Sequence, residues 1–310
     1  MTPGGDRRGR RSATPCGHRK PWNKNLHAEV FGARVVRVTS STNSPTTSIQ
    51  LFTIREHLDR DPDEALGRLA DIGYTTVEPY DFVRRAGELA AALGRHGLTA
   101  PTGHAFLASP SFIAPDGSGT AIPAPGHDEV FAAAHELGMS IVIDPYTDPE
   151  RWSTREQIEE TAERLNAAAA TAATHGLRVG YHNHAHELDR DIDGRRGLEI
   201  LADALDPEVA LEVDLYWAAR AGVDVTALIG RLGDRVRAVH VKDGSLDPEL
   251  VTAYPPADQV PAGQGAVPLA AALDAASALE FAVVEYDAFG GDLYDGLAQS
   301  REFLAARSAS

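Results

Sequence analysis

Cysteine is all but missing from this chain: Cys16 stands alone among 310 residues. A lone thiol excludes an internal disulfide framework and fits a reducing cytoplasm. Long apolar runs are missing too, so no segment is built to span a bilayer and no membrane partner is expected. Aromatic residues are only 6%, and Ala and Leu fill the apolar helical positions instead, the texture of a soluble helix-rich enzyme. Positive charge is scarce beyond the N-terminus. Residues 1–46 hold nine Lys/Arg against Asp6 and Glu29, a net of +7, and the remaining body carries 20 basic and 43 acidic residues, a net of -23. So acidic a body repels a phosphate backbone, and no nucleic-acid partner is expected.

In the basic head, Arg7, Arg8, Arg10 and Arg11 sit amid Gly, Pro, Ser and Thr with no apolar period. Residues 1–46 are therefore expected to be a disordered extension. The Val30–Val38 stretch is short and broken by Arg34 and Arg37, unlike the apolar segment of a secretory signal. The extension reads as dispensable, or as the product of an upstream start codon.

From Ser48 a β-rich run, Ser48–Ile54, leads into a helical pattern after Asp61-Pro62 that Gly73 ends. The alternation then repeats. Strands are expected at Thr75–Pro79, Leu98–Phe106, Ser140–Asp144, Leu177–Asn183, Val209–Leu215, Val236–Lys242 and Phe281–Tyr286. The helices between and after them are Phe82–His96, His127–Leu137, Thr154–His175, Arg195–Leu205, Val225–Leu232, Pro268–Ala278 and Leu293–Arg307. Eight strand–helix units over about 260 residues fit an α/β fold, a single (β/α)8 TIM barrel across 47–310. A doubly wound sheet usually carries a Gly-rich phosphate loop after its first strand, and Thr53-Ile54-Arg55-Glu56 has no glycine.

Barrel chemistry gathers where strands run into the following loops. The densest such end is Tyr181-His182-Asn183-His184-Ala185-His186-Glu187. In an extended strand His182, His184 and His186 would share one face. Other ends offer Glu78, His104, Asp214 before Trp217, His240 before Lys242 and Asp243, and Glu285 before Asp287; Arg55-Glu56 and Asp144 are less pointed. A single acid at such a place is more often a helix cap, and a single His more often a satisfied core residue. Four successive ends bearing His182, Asp214, His240 and Glu285 point instead to a mixed N/O site for a divalent ion.

These pieces resemble the sugar phosphate isomerase/epimerase family, the xylose-isomerase-like TIM barrels, over Ser48–Leu304. The matching segments are Gln50–Arg55, Gly73–Glu78, Tyr181–His184, Asp214–Ala218 with Gly222, His240–Asp243, Gly263-Gln264-Gly265 and Glu285–Asp287. The resemblance implies a metal held by Glu, Asp, His and Glu from the last four strands. The last three fall on Asp214, His240 and Glu285. His182 stands where the family's first Glu is usual, and Glu187 is the alternative ligand or base. The expected cofactor is Mn²⁺, with Zn²⁺, Co²⁺ and Mg²⁺ as alternatives.

Such a site supports removal of a proton beside a carbonyl, the cation stabilising an enediolate as it forms. The expected activity is isomerisation or epimerisation of a keto-sugar or sugar phosphate. Glu285 is the first candidate base, and His184 or Glu187 delivers the proton on the other side. His104, Lys242, Trp217 and Glu78 are expected to contact substrate. Replacement of the usual Glu by His182 puts two-base epimerisation in question. A lyase, dehydratase or β-eliminating, on a keto-sugar or inositol-derived ketone is therefore the alternative. A non-catalytic sugar-binding barrel and an endonuclease IV-like phosphodiesterase rank lower. The expected partner is a small sugar, with a homo-oligomer among the options. The loops Ala108–Pro125 and Ser245–Gly263 are expected to select the substrate.

Overall fold

The computed structural model describes residues 44–113, 119–247, 249–250 and 254–308. Of the expected basic extension, residues 1–43 lie outside that set, and Thr46 already belongs to the first strand. Among the described residues no helix is long and apolar enough to cross a membrane.

Local chemistry sets the element ends. The Asp61 carboxylate accepts hydrogen bonds from the backbone N–H of Asp63 and Glu64, and Pro62 occupies the first turn of helix Pro62–Ile72, where no donor is needed. Gly73 stops that helix at φ 100°, a conformation that costs a side-chain-bearing residue. Thr154 and Gln157 form a reciprocal capping box on the long helix Arg155–Thr174.

Seven strands form one parallel sheet: β1 (Thr46–Ile49), β2 (Thr102–His104), β3 (Ile141–Asp144), β4 (Arg178–His182), β5 (Ala210–Asp214), β6 (Val236–Val241) and β7 (Phe281–Val284). Their order is β1-β7-β6-β5-β4-β3-β2. The eighth stave, expected at Thr75–Pro79, is an irregular extended segment, since Pro79 has no N–H to continue a ladder. It still joins both edges. Gln50 pairs with Glu78, Thr76 with Thr99 and Tyr80 with His104, all in parallel. Glu78 N donates to Ile49 O at 2.7 Å, and His104 N donates to Pro79 O at 2.8 Å. The sheet is thereby closed into a TIM barrel.

The first strand is shorter than expected. It stops at Ile49, and Leu51–Ile54 winds into a 3₁₀ turn because the Gln50 side chain accepts the N–H of Phe52. The strand end facing the site is therefore Gln50, not Arg55-Glu56. Of the other expected helices Val225–Leu232 is present as expected, and Ala86–Arg95, His127–Glu136, Gly197–Ala204, Leu269–Ala275 and Leu293–Ser308 are present with shifted ends. An additional helix, Leu215–Arg220, follows β5 directly. The loop over 108–125 contains an antiparallel hairpin, Ser111–Ile113 with Ala121–Pro123.

Alternation along the strands divides the core in two. Val142, Val213, Val239 and Ala282 face outward and pack with the helix shell. Ile141, Ile143, Ala238, Phe281 and Val283 form a separate cluster inside the barrel. Two residues further along the same strands, the inward positions become ionisable: Ala210 gives way to Glu212 and Asp214, Ala238 to His240, and Val283 to Glu285. The interior is thus apolar at one end and charged at the C-terminal end of the strands.

Candidate metal centre

The three-histidine alternation breaks off where β4 ends, at His182. His182 alone stays on the inward strand face, and 183–187 turns away, placing His184 and His186 in the loop with their rings 6.1 Å apart. Asn183 holds that turn to the neighbouring strand, accepting from Asp214 N at 3.1 Å and donating to His184 O at 3.0 Å.

His182, Asp214, His240 and Glu285 are all buried and converge at the strand ends. His240 Nδ1 lies 2.6 Å from Glu285 Oε2 and 3.9 Å from Asp214 Oδ2; His182 Nε2 is also 3.9 Å from Asp214 Oδ2. The four do not make a single tight group. Asp214, His240 and Glu285 form one potential ligand set, and His104, His182, Glu212 and His240 form another. His240 belongs to both.

The donor set fits a divalent ion. Asp214 Oδ1 caps the helix Leu215–Arg220 by accepting from Trp217 N at 2.8 Å, which turns Oδ2 inward. Buried Asp214 Oδ2 and His240 Nδ1 each already face a charged neighbour: Lys242 Nζ lies 2.9 Å from Asp214 Oδ2, and Glu285 Oε2 lies 2.6 Å from His240 Nδ1. A divalent ion bound there would take the place of the Lys242 charge and of the His240 proton at those atoms. Two carboxylates and two imidazoles suit Mn²⁺, Zn²⁺ or Co²⁺.

Lys242 already places one positive charge there. Its Nζ lies 2.9 Å from Asp214 Oδ2, 2.7 Å from Glu285 Oε2 and 3.0 Å from Asp287 Oδ1. Burial opposes the charge on Lys242, but those three carboxylates outweigh it and raise its pKa well above the ordinary value. Burial likewise pushes against Glu285, yet Lys242 and His240 hold it well below the usual carboxylate range, so it is a weak base. Asp214 is pushed by burial up to about 6, with Lys242 and His240 pulling the other way.

A second, deeper layer lies beneath. Glu212 Oε2 is 2.7 Å from His104 Nε2, 3.0 Å from His240 Nε2 and 3.2 Å from His182 Nδ1. Glu78 Oε1 takes hydrogen bonds from Gln50 Nε2 and His240 Nε2, each at 2.9 Å. Burial disfavours a charged His104, but Glu78 and Glu212 prevail and raise it to about 9. In turn Glu212 is held at about 2, its burial and the repulsion from Glu78 outweighed by His240 and His104.

The remaining expected residues divide. Glu78 has no exposed surface, and its place is among these internal partners instead of against a substrate. His104 retains 8% exposure and lies in the same layer. Trp217 is near the site, its ring 5.9 Å from Lys242 Nζ and 5.7 Å from the His184 ring. His184 is half-buried; burial, then Lys242, drives its pKa well below the ordinary value and leaves it neutral. Glu187, expected to reach back as ligand or base, does not join either ligand group. It accepts from Tyr181 Oη and from His184 N, both at 2.9 Å, because Tyr181 points out of the barrel and draws it there.

Three buried carboxylates at the strand ends were given no role by the residue-by-residue reading. Glu212 was detectable as the inward neighbour of Asp214 in Glu-Val-Asp. Asp243 accepts from the N–H of Gly244, Gly263, Gly265 and Val267, and so pins the Gly-Gln-Gly loop to the end of β6. Asp144 similarly takes the N–H of Leu107, Ala108 and Tyr146. Only the fold reveals the roles of those two, since most of their partners lie 20 or more residues away.

Comparison with known proteins agrees with this architecture: the xylose isomerase-like TIM barrel family matches residues 66–307. The chain belongs to that family. Its structure is similar to a sugar phosphate isomerase/epimerase from Parabacteroides distasonis, with a TM-score of 0.69 and 22% identity over 88% of this chain and 98% of that one. The IOLI protein, solved with a zinc atom, matches at a TM-score of 0.57 and 18% identity, covering 85% of this chain and 96% of its own. Among curated proteins, an inosose dehydratase of Mesomycoplasma hyopneumoniae is 32% identical over 91 residues, which is 29% of each chain. The barrel family thus includes isomerase/epimerase and dehydratase relatives of this chain.

Proposed function

We propose that this protein is a divalent-metal-dependent enzyme that moves the proton beside the keto group of a small polyhydroxylated substrate, as a sugar isomerase or epimerase. The observation that carries the reading is the grouping of Asp214, His240 and Glu285, close enough to share one ion at the C-terminal end of the strands, with His182 Nε2 3.9 Å from Asp214 Oδ2.

These four residues would hold the ion. When bound, it polarises a keto oxygen and acidifies the neighbouring C–H. The chain's own groups do the rest. Lys242 Nζ, a buried cation, is placed to neutralise charge developing on a substrate oxygen. His184 is the fitting proton carrier: it is neutral, and its buried Nδ1 has no partner among the described residues. Glu285, held between His240 and Lys242, serves as ligand in preference to base. The Trp217 ring, 5.7 Å from the His184 ring and 5.9 Å from Lys242 Nζ, offers an apolar surface to a sugar ring. Mn²⁺ is the favoured ion.

A dehydratase is the second reading, favoured by His182 in place of a second glutamate and by the inosose dehydratase relatives. There the proton leaves one carbon, hydroxide leaves the next as water, and a C=C bond forms between them. One experiment separates the two: Mn²⁺-loaded protein is incubated in D₂O with a ketohexose or an inosose and followed by NMR and ultraviolet absorption. Deuterium entering beside the ketone with every hydroxyl group retained indicates an isomerase or epimerase. A growing enone absorption indicates the dehydratase. Neither signal with either substrate class, in protein shown to hold the ion, contradicts both.

A further inference from the structure

Glu212 has no assigned task, yet one of its oxygens gathers three imidazoles. Its Oε2 stands 2.7 Å from His104 Nε2, 3.0 Å from His240 Nε2 and 3.2 Å from His182 Nδ1. The residue is 1% exposed, so neither substrate nor solvent competes for that oxygen. Strand geometry explains the placement: Glu212 and Asp214 are two apart on β5, so both point inward, one layer below the other.

The two candidate ligand histidines meet these layers with opposite edges. His182 presents Nε2 to Asp214 and Nδ1 to Glu212. His240 presents Nδ1 to Glu285 and Asp214, and Nε2 to Glu212 and Glu78. A neutral imidazole that gives a lone pair to a cation must carry its proton on the other nitrogen. For both rings that other nitrogen lies within 3.2 Å of Glu212 Oε2; His240 Nε2 is hydrogen-bonded to Glu78, and His182 Nδ1 has no aligned partner among the described residues.

Resting on the metal-centre reading above, we propose that Glu212 is the positioning residue of that centre: with an ion bound it takes the N–H of His182 at Nδ1 and shares with Glu78 that of His240 at Nε2, fixing both tautomers and turning His182 Nε2 and His240 Nδ1 toward the ion. His104, clamped between Glu212 and Glu78, neutralises part of this deep carboxylate pair. The competing use of the same atoms is a second ion among His104, His182, Glu212 and His240. Alongside the upper ion, that use would make both shared rings imidazolates; in place of it, a single deep ion would leave the protons on His182 Nε2 and His240 Nδ1, the opposite tautomers.

The test compares wild-type protein with Glu212→Gln, which keeps the side-chain volume. Zn²⁺ or Mn²⁺ affinity and stoichiometry are measured by chelator competition, with circular dichroism to verify folding. The expected result is one ion per chain in both proteins and about 10–100-fold weaker binding in the variant, the usual effect of losing a carboxylate behind a histidine ligand. Independently of any variant, ¹⁵N NMR of histidine-labelled, Zn²⁺-loaded wild type should show His182 protonated at Nδ1 and His240 at Nε2. Equal affinity in Glu212→Gln, or the opposite tautomers, overturns the proposal and leaves the metal centre standing. Two ions in the wild type and one in the variant make Glu212 a ligand and also overturn it. Wild-type protein that binds no ion overturns the metal centre itself, and the proposal falls with it. If the variant fails to fold, the wild-type tautomers decide.

Discussion

Lys242 Nζ lies 2.7 Å from Glu285 Oε2, inside the ring of candidate metal ligands. A fixed cation there steadies the acidic pocket in the metal-free protein and repels an incoming ion. The two roles separate in Lys242→Met. Removing one partner of a buried ion pair costs on the order of 3–5 kcal/mol, so the metal-free variant should melt well below wild type. Added Mn²⁺ should then recover more stability in the variant than in wild type, because it meets three carboxylates with less positive charge nearby. Calorimetry with and without Mn²⁺ measures both effects; equal metal-induced shifts in the two proteins would count against this.

His104 gives the metal-free protein a defined pH dependence. Its folded pKa, about 9, lies above the ordinary 6.5 because Glu78 and Glu212 outweigh burial. A raised folded value means that the contribution is complete below 6.5 and is lost as pH rises through 9. In chelator-treated protein, the stability gap between wild type and His104→Gln should therefore narrow from pH 6.5 to 9. Denaturant titrations across that range check it, and a gap that widens with pH would contradict the assignment.

Metal binding itself should tighten as pH rises. Burial opposes protonation of His240, but Glu212 and Glu285 raise its pKa well above the ordinary value. An ion taking Nδ1 must displace that proton, so protons are released on binding. Isothermal titration in buffers of different ionisation enthalpy should report proton release; uptake, or no exchange, would contradict it.

Asp243 and Gly265 make a separate, structural prediction. A Cβ on Gly265 would lie 2.2 Å from Asp243 Oδ1 and 2.5 Å from Gly244 O. Gly265→Ala should cost about 1–3 kcal/mol through overpacking. Asp243→Ala, which strands four backbone donors, should cost more, on the order of 3 kcal/mol. Chemical denaturation distinguishes these from surface substitutions, which should be nearly neutral.

Most of the barrel was legible because its signals are local. Asp61, Pro62 and Gly73 mark their helix in sequence, and apolar runs such as Ile141–Ile143 mark buried strands. Asp214, His240 and Glu285 could be read as inward because each ends such a run. The segment 76–80 was harder, since Pro79 breaks its ladder and contacts with Ile49, Leu51, Thr99 and His104, distant in sequence or on other strands, define it as a stave. Glu187 misled for a similar reason. A carboxylate five residues beyond His182 is near it in sequence, but Tyr181 on the opposite strand face claims it. Asp243 looked like an ordinary loop charge because three of its four amide donors lie 20 or more residues away.

The most direct test of the central claim is anomalous diffraction from crystals soaked in Mn²⁺, collected above and below the metal edge. The account predicts a single peak within coordination distance, roughly 2.0–2.3 Å, of His182, Asp214, His240 and Glu285. Crystals with no peak, or with one bound away from Asp214 and His240, would contradict it.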